Sequence, residues 1–170
     1  MEFLVGDQVV HPQHGVGHVA KLEEREFEPG TIRQYYEISL MNGSTVWVPM
    51  DLSISGLRRL TSRGEITRCR KILESRPAPL DDDARYRQAG LAARLKKGTI
   101  RTQCEVVRDL YAYGEHRSLN GTIGIFYKAA QDVLCQEWSV VEDVPIADAA
   151  REIETLLEKS RLALKAQTQT

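Results

Sequence analysis

The sequence predicts an α+β protein in which a small β-domain is followed by an all-α helical domain. Two observations support this fold class. Short runs of β-branched and aromatic residues, separated by turn residues, fill the segment before Gly56. After Gly56, the apolar residues recur at the three- and four-residue spacing of amphipathic helices. We therefore predict two domains, at residues 1–60 and residues 61–165.

Turn signals in the β-domain separate candidate strands at residues 8–11, 17–27, 33–40 and 44–49, followed by a short pairing near 57–60. The turns are EPG at 28–30 and MNG at 41–43, and Asn-Gly between strand-like runs is a strong hairpin signal. Such a series of short antiparallel strands is typical of a small SH3-like or Tudor-like β-barrel. Pro49 cannot donate to a central ladder, so the strand that it ends is expected at an edge.

The helical domain is predicted to be a bundle with helices at residues 62–75, 84–98, 99–116, 123–138 and 143–165. Ser62 precedes Glu65 by three positions, which is the spacing of a capping box at a helix start. The segment RPAPLDDD at 76–83 is expected to be a linker, because its prolines stop one helix and its aspartates can cap the next. Short connections favour antiparallel neighbouring helices.

Charge is distributed unevenly along the chain, although the formal net charge is only −1. Residues 57–76 carry 7 Lys/Arg against 2 Asp/Glu, and residues 84–101 carry 6 Lys/Arg with no acidic residue. Residues 1–56, in contrast, carry 3 Lys/Arg and 8 Asp/Glu. This basic belt, residues 57–76 and 84–101, predicts a polyanionic partner such as nucleic acid. A solvated helix surface without a partner remains the alternative.

The stretch HPQHGVGHV places His11, His14 and His18 at spacings that would suit a metal site on a helix. Pro12 and two glycines favour a strand–turn–strand instead, so we expect solvent-facing histidines and neither metal nor cofactor. The sequence contains no GxSxG, P-loop or GxGxxG motif, which argues against an enzyme. A metal-dependent enzyme that uses the histidines is kept as an alternative.

The composition also bounds the compartment in which the protein is expected to act. No apolar run approaches the length of a membrane span, and the N-terminal MEFLVGD lacks a signal-peptide core, so a cytoplasmic location is expected. The cysteines Cys69, Cys104 and Cys135 are scattered without a CxxC pair, which argues against disulfides and structural zinc. Each lies beside apolar positions of a predicted helix and is expected to fill the core.

Five segments of the chain together resemble one known family. VGDQVVHPQHGVGHV at 5–19, TVWVP at 45–49 and GLR at 56–58 are followed by RY at 85–86 and EVVRDLY at 105–111. In this order and at this spacing, the segments are similar to those of the CarD/CdnL-type bacterial transcription regulators. The resemblance covers nearly the whole chain and weakens toward its C-terminal end.

The resemblance implies a function for each domain. A Tudor-like barrel would bind the β subunit of bacterial RNA polymerase. The helical domain would contact promoter DNA without sequence preference, and so modulate initiation and the stability of the open complex. Such a factor needs no cofactor and no small-molecule substrate, and it would act in the cytoplasm at the nucleoid. The alternative is a polymerase- or protein-binding adaptor whose helical domain does not bind DNA.

Matching positions imply the residues of the polymerase contact. The family's polymerase-binding strand corresponds to Val46, Trp47, Val48 and Pro49, and Arg25 matches a basic contact position nearby. Side chains alternate between the two faces of a strand, so the flanking valines should face away from Trp47. Trp47 is therefore expected to be exposed.

For DNA, the resemblance implies phosphate contacts by Arg85, Arg87 and Lys128, and the basic belt adds Lys96, Lys97 and Arg101. The family commonly carries a tryptophan that wedges into DNA, at the position where this chain has Asp82. A carboxylate cannot stack on a base and repels phosphate, so weaker stabilisation of the open complex is expected. Tyr86, one helical turn further along, is the next candidate for the wedge.

Overall fold

A five-stranded antiparallel sheet forms the N-terminal part of the computed structural model, which describes residues 2–168. The strands are β1 (Gln8–His11), β2 (Gly15–Glu28), β3 (Thr31–Leu40), β4 (Thr45–Pro49) and β5 (Arg58–Arg59), in the spatial order β4-β3-β2-β1-β5. The predicted antiparallel β-domain is thus confirmed. The edge strands β4 and β5 do not pair with each other within the described residues, so the expected barrel is an open sheet.

The predicted helical domain that follows the sheet is also confirmed. Its helices are α2 (Arg63–Glu74), α3 (Ala84–Lys96), α4 (Ile100–Tyr113), α5 (Gly121–Glu142) and α6 (Ile146–Thr168), and the short α1 (Leu52–Ser55) precedes β5. Helix α1 was not predicted, because four residues are too few to show a helical period. None of the described helices is both long and apolar enough to cross a membrane.

Side-chain caps fix the starts of α2, α3 and α4. Ser62 Oγ accepts from the Glu65 N–H at 3.2 Å, as the capping-box spacing predicts. Asp83 Oδ1 accepts from the Arg85 and Tyr86 N–H groups in the first turn of α3. Thr99 Oγ1 accepts from the Thr102 N–H at the start of α4. Each such cap contributes about 1 kcal/mol. The cap matters most for α3, because Leu91 is the one fully buried side chain of that helix.

The sheet and the helices each enclose an apolar core. Tyr36, Ile38 and Phe3 are among the side chains buried beneath the sheet. The larger helical core surrounds Trp138 and Leu110. The three cysteines are buried there with reduced thiols, as expected for core-filling residues.

A third, smaller cluster joins the sheet to α5. Val10 and Val16 pack against Val133 of α5. Beside them, Arg58 Nη1 and Nη2 donate to the two carboxylate oxygens of Glu137, each at 2.7 Å. Glu137 is fully buried, so this pairing offsets the cost of removing its carboxylate from water. The sheet and the helices are therefore held together by a paired charge as well as by apolar contact.

Gly15, the first glycine of the HGVG motif, lies where the β1–β2 turn meets α5. Gly15 has a φ of +88°, which favours glycine over other residues. A Cβ at this position would also overlap the side chain of Gln136 on α5. Gln136 Oε1 accepts from the Val16 N–H at 3.0 Å. The glycine thus allows α5 to approach the β1–β2 turn closely enough for this hydrogen bond.

Candidate functional site

Strand β4 forms an open edge of the sheet. Next to it, the Ser44 carbonyl accepts from the Leu40 N–H at 2.9 Å, and the Met50 N–H donates to β3 at 3.2 Å. Antiparallel neighbours alternate between residues that bond to the partner strand and residues that do not. Val46 and Val48 lie at every second position between Ser44 and Met50 in the β3–β4 register. They are therefore bonded positions too, and their main-chain N–H and carbonyl groups face β3.

The remaining residues of β4 direct their main-chain groups away from β3. The N–H groups of Thr45 and Trp47 and the carbonyls of Thr45, Trp47 and Pro49 are therefore available to an added strand. Pro49 has no N–H, which suits an edge position as predicted. Val48 is buried and Val46 half-buried. Two of the four predicted contact residues on β4, Val46 and Val48, therefore pack their side chains against the inside of the sheet and stabilise the edge strand.

Trp47 lies on the outer face of the sheet with 37% of its surface exposed, in agreement with the sequence analysis. The guanidinium carbon of Arg25 lies 4.4 Å from the centroid of the Trp47 ring. Glu23 Oε1 accepts from Arg25 Nε and from Trp47 Nε1, each at 2.7 Å. The hydrogen bond from Arg25, and then that from Trp47, lower the pKa of Glu23. A fixed aromatic and basic cluster thus lies beside the open edge.

On the helical side, three of the predicted phosphate contacts have free side chains. Arg85, Lys96 and Lys97 are exposed, and their side chains have no hydrogen-bond or ion-pair partner among residues 2–168. Arg85 and Lys96 are separated by three turns of α3, so they lie on one face, about 16 Å apart along the helix axis. A DNA duplex lying along α3 would present several phosphates over that length.

Two further predicted phosphate contacts form ion pairs on the surface. Arg101 Nη2 lies 3.6 Å from Glu65 Oε1, and Lys128 Nζ lies 3.2 Å from Asp132 Oδ2. The side chains of both basic residues are more than half exposed, at 58% and 78%. Exposed pairs of this kind are weak, so both cations remain accessible to a phosphate.

Arg87, the sixth predicted contact, is folded back onto the linker that precedes α3. Its Nη1 donates to the main-chain carbonyls of Asp81 at 2.8 Å and Asp82 at 3.0 Å. Its guanidinium carbon lies 5.4 Å from the centroid of the Tyr113 ring. Arg87 therefore holds the linker, on which the Asp82 side chain is exposed. The Tyr86 ring, on the first turn of α3, is 73% exposed.

Much of the remaining basic belt is paired within the molecule. Arg70 Nε donates to Glu152 Oε1 at 2.5 Å. Arg94 donates to Asp109 at 2.8 Å, and the Asp109 side chain is fully buried. Arg108, which lies outside the belt, also donates to Asp109, at 2.9 Å. Composition reveals charges but not their partners, so the free positive charge of the belt is smaller than its composition predicts.

Two of the three histidines near the β1–β2 turn are neighbours: the ring centroids of His11 and the exposed His14 lie 4.5 Å apart. His11 Nδ1 accepts from the N–H groups of Gln13 at 3.1 Å and His14 at 3.2 Å. Burial, and to a lesser degree the charge of His14, lower the pKa of His11 to about 4. His11 is thus half-buried and neutral near pH 7, whereas solvent exposure was expected; His18 is exposed on β2. Residues 2–168 contain no group of three or more His, Cys, Asp or Glu that could hold a metal ion.

Two family models match the chain. The CarD-like/TRCF RID domain matches residues 3–61, and the CarD C-terminal domain matches residues 69–154. The chain belongs to the CarD-like family. The CarD-like chain is also 27% identical to YdeB, a candidate transcription factor of Bacillus subtilis strain 168, over 144 residues that cover 84% of this chain and 94% of YdeB. The family regulates transcription through interaction with RNA polymerase.

Proposed function

We propose that this CarD-like protein binds the β subunit of bacterial RNA polymerase through β4 and binds promoter DNA through α3. Residues 1–60 form the polymerase-binding domain, and residues 61–165 form the DNA-contacting domain. The protein is not an enzyme, needs no cofactor or small-molecule substrate, and acts in the cytoplasm at the nucleoid. Its effect on transcription comes from modulating initiation and the stability of the open complex.

The observation that carries the polymerase contact is the open edge of β4 beside the Arg25–Trp47 stack. Outward main-chain groups give affinity to an added strand, and the neighbouring side chains select its sequence. Trp and Arg are the residue types most enriched among interface hot spots. An open edge flanked by both is therefore well suited to a specific protein partner.

The DNA contact is supported by the free cations on α3. Arg85, Lys96 and Lys97 can bind phosphates directly, and Arg101 and Lys128 can do so after exchanging weak surface pairs. Phosphate contacts position a protein on DNA without reading its sequence. Binding should therefore be weak, dependent on salt and tolerant of sequence.

The strand-addition contact can be tested with a pair of substitutions at one position. Thr45→Pro removes an outward N–H at the first residue of an edge strand, where proline is tolerated, while Thr45→Ala removes only side-chain atoms. The measurement is the affinity of the full chain for core RNA polymerase. We expect Thr45→Pro to weaken binding and Thr45→Ala to leave it near the wild-type value. Equal affinities for all three proteins would contradict strand addition.

A second candidate function is that of an adaptor whose helical domain does not bind DNA. It is favoured by the internal pairing of Arg70, Arg94 and Arg108, which reduces the free positive charge. The exposed carboxylate of Asp82 near the start of α3 also repels phosphate. The salt dependence of duplex binding separates the two functions: an adaptor would show no DNA affinity even at low salt.

A further inference from the structure

Three side chains from two strands meet on the outer face of the sheet. Glu23 and Arg25 come from β2, and Trp47 comes from β4, on the far side of β3. One carboxylate oxygen, Glu23 Oε1, accepts both the Arg25 Nε–H and the Trp47 Nε1–H at 2.7 Å. Arg25 and Trp47 lie on two strands separated by β3, and this shared acceptor fixes their side chains relative to each other.

The guanidinium of Arg25 has one edge occupied and one edge free. Its Nε side is bonded to Glu23, and its plane lies near the rings of Trp47 and Phe27, at 4.4 and 6.0 Å from their centroids. Its Nη1 and Nη2 atoms have no partner among residues 2–168. Two parallel N–H donors of this kind match the two oxygens of a carboxylate.

We propose that Glu23 is a positioning residue that holds Arg25 and Trp47 as one preformed anchor for a polymerase segment carrying a carboxylate. The proposal rests on the proposed polymerase contact and names the chemistry of that partner. The segment that lies along the β4 edge places an acidic side chain on the free edge of the Arg25 guanidinium. A neighbouring apolar side chain packs on the exposed part of the Trp47 indole.

The surrounding charges favour a single carboxylate over a nucleic acid. The β2–β3 hairpin around the anchor, residues 21–37, carries five acidic residues and three basic ones. A polyanion would meet that acidic surface over its whole length, whereas one carboxylate meets it only at the free guanidinium edge. The anchor thus discriminates between the two partner classes proposed for the molecule.

Holding the anchor in place matters because a free arginine or tryptophan must lose side-chain entropy when it binds. For two side chains, the effect of prior ordering is on the order of tenfold in affinity. The matched control is Glu37, which lies opposite Trp47 in the β3–β4 register and pairs with Lys21 at 3.5 Å. Glu37→Ala removes a carboxylate from the sheet without removing the hydrogen bond to the indole.

The first test follows the Trp47 indole in the free, full-length protein. Acrylamide quenching of tryptophan fluorescence reports mainly on Trp47, because Trp138 is fully buried. We expect Glu23→Ala to increase quenching and Glu37→Ala to leave it unchanged. An unchanged quenching constant in Glu23→Ala would overturn the positioning role without reference to polymerase.

The second test measures the affinity of the same proteins for core RNA polymerase. We expect a loss of about tenfold for Glu23→Ala and for Arg25→Lys, since lysine cannot form the bidentate contact. Glu23→Gln, whose amide oxygen can still accept from the indole, should recover part of the loss, and Glu37→Ala should bind like wild type. Wild-type affinity in Glu23→Ala or Arg25→Lys would overturn the anchor alone. A wild-type chain that fails to bind polymerase would overturn the proposed function together with the anchor.

Discussion

The two proposed contact surfaces are built in different ways. Beside β4, Arg25 and Trp47 are held by hydrogen bonds to one carboxylate, whereas Arg85 and Lys96 on α3 extend into solvent without partners. A fixed surface loses little entropy on binding and can select one partner by shape and hydrogen bonding. Unpaired cations attract any polyanion of suitable charge density. On the proposed function, the sheet surface supplies specificity and the helical surface supplies tolerance of sequence.

The sheet, which carries one surface, meets the helices, which carry the other, at the junction with α5, and breaking this junction should have the largest effect on stability. Glu137→Ala leaves the Arg58 guanidinium without its carboxylate partner, so we expect the free energy of unfolding to fall by about 3 kcal/mol or more. Urea denaturation checks this, with Asp132→Ala, an exposed acidic residue of the same helix, as the control. A loss below about 1 kcal/mol would show that the apolar contacts of the junction suffice.

The sheet surface should be disrupted selectively by Trp47→Ala. Truncation of an aromatic hot-spot residue typically costs about 2 kcal/mol or more of binding free energy, which is a loss of about thirtyfold in affinity. Because Trp47 is partly exposed, we expect little change in stability and no change in DNA affinity. Titration against core polymerase and against duplex DNA measures both. A parallel loss in the two assays would remove the distinction between the surfaces.

The β1–β2 turn should make stability sensitive to pH. The pKa of His11 in the folded protein is lowered to about 4 from an ordinary value of 6.5, so stability is full above pH 6.5 and falls as pH drops toward 4. Solvent screening leaves a loss of about 1–2 kcal/mol. His11→Asn retains an acceptor for the turn but cannot titrate, so its urea midpoint should change less over this range. An identical pH profile in both proteins would assign the effect to other groups.

The helical surface should respond to charge rather than to sequence. Arg85→Glu combined with Lys96→Glu should lower affinity similarly for unrelated duplexes and reduce the magnitude of the salt slope by about two. Arg151→Glu, on the exposed surface of α6, is the control. Binding measured across a salt series tests this prediction. Unchanged slopes after the double reversal would show that DNA is bound by residues other than these two cations of α3.

The smallest effect is expected from substitutions of Asp82, which lies just before α3. Asp82 is exposed and carries charge in place of an aromatic ring, so Asp82→Trp should lengthen the lifetime of promoter open complexes. Asp82→Ala should lengthen it less, because it relieves repulsion without adding stacking. Lifetimes are measured with a competitor at fixed salt. If Asp82→Trp has no effect, Tyr86 becomes the residue to test.

Features set by local sequence were predictable. The Asn-Gly turn, the Ser62 cap and the edge position implied by Pro49 each depend on residues within a few positions. The junction was not predictable, because Val16 and Gln136 are 120 positions apart and no periodicity connects them. A barrel was expected from the series of short antiparallel strands and from the family resemblance, but the pairing that would close it is absent from the described strands.

The candidate sites likewise have some features that the sequence predicts and others that only the structure reveals. Alternation along β4 predicted that Trp47 would be exposed, but not that Glu23 would bond to it across β3. The charge count identified the basic belt, but not which arginines the acidic residues of other helices neutralise. Arg87 illustrates the limit: its acceptors are main-chain carbonyls, which no side-chain pattern reveals.

The central claim is that β4 itself contacts polymerase, and site-specific photo-crosslinking tests it most directly. Benzoylphenylalanine is placed at Thr45 on the open edge and, in a second protein, at Thr155, an exposed threonine of α6. Each protein is then irradiated with core RNA polymerase. We expect a crosslink from position 45 to the β subunit and none from position 155. Crosslinks from position 155 alone, or from position 45 to a subunit other than β, would contradict it.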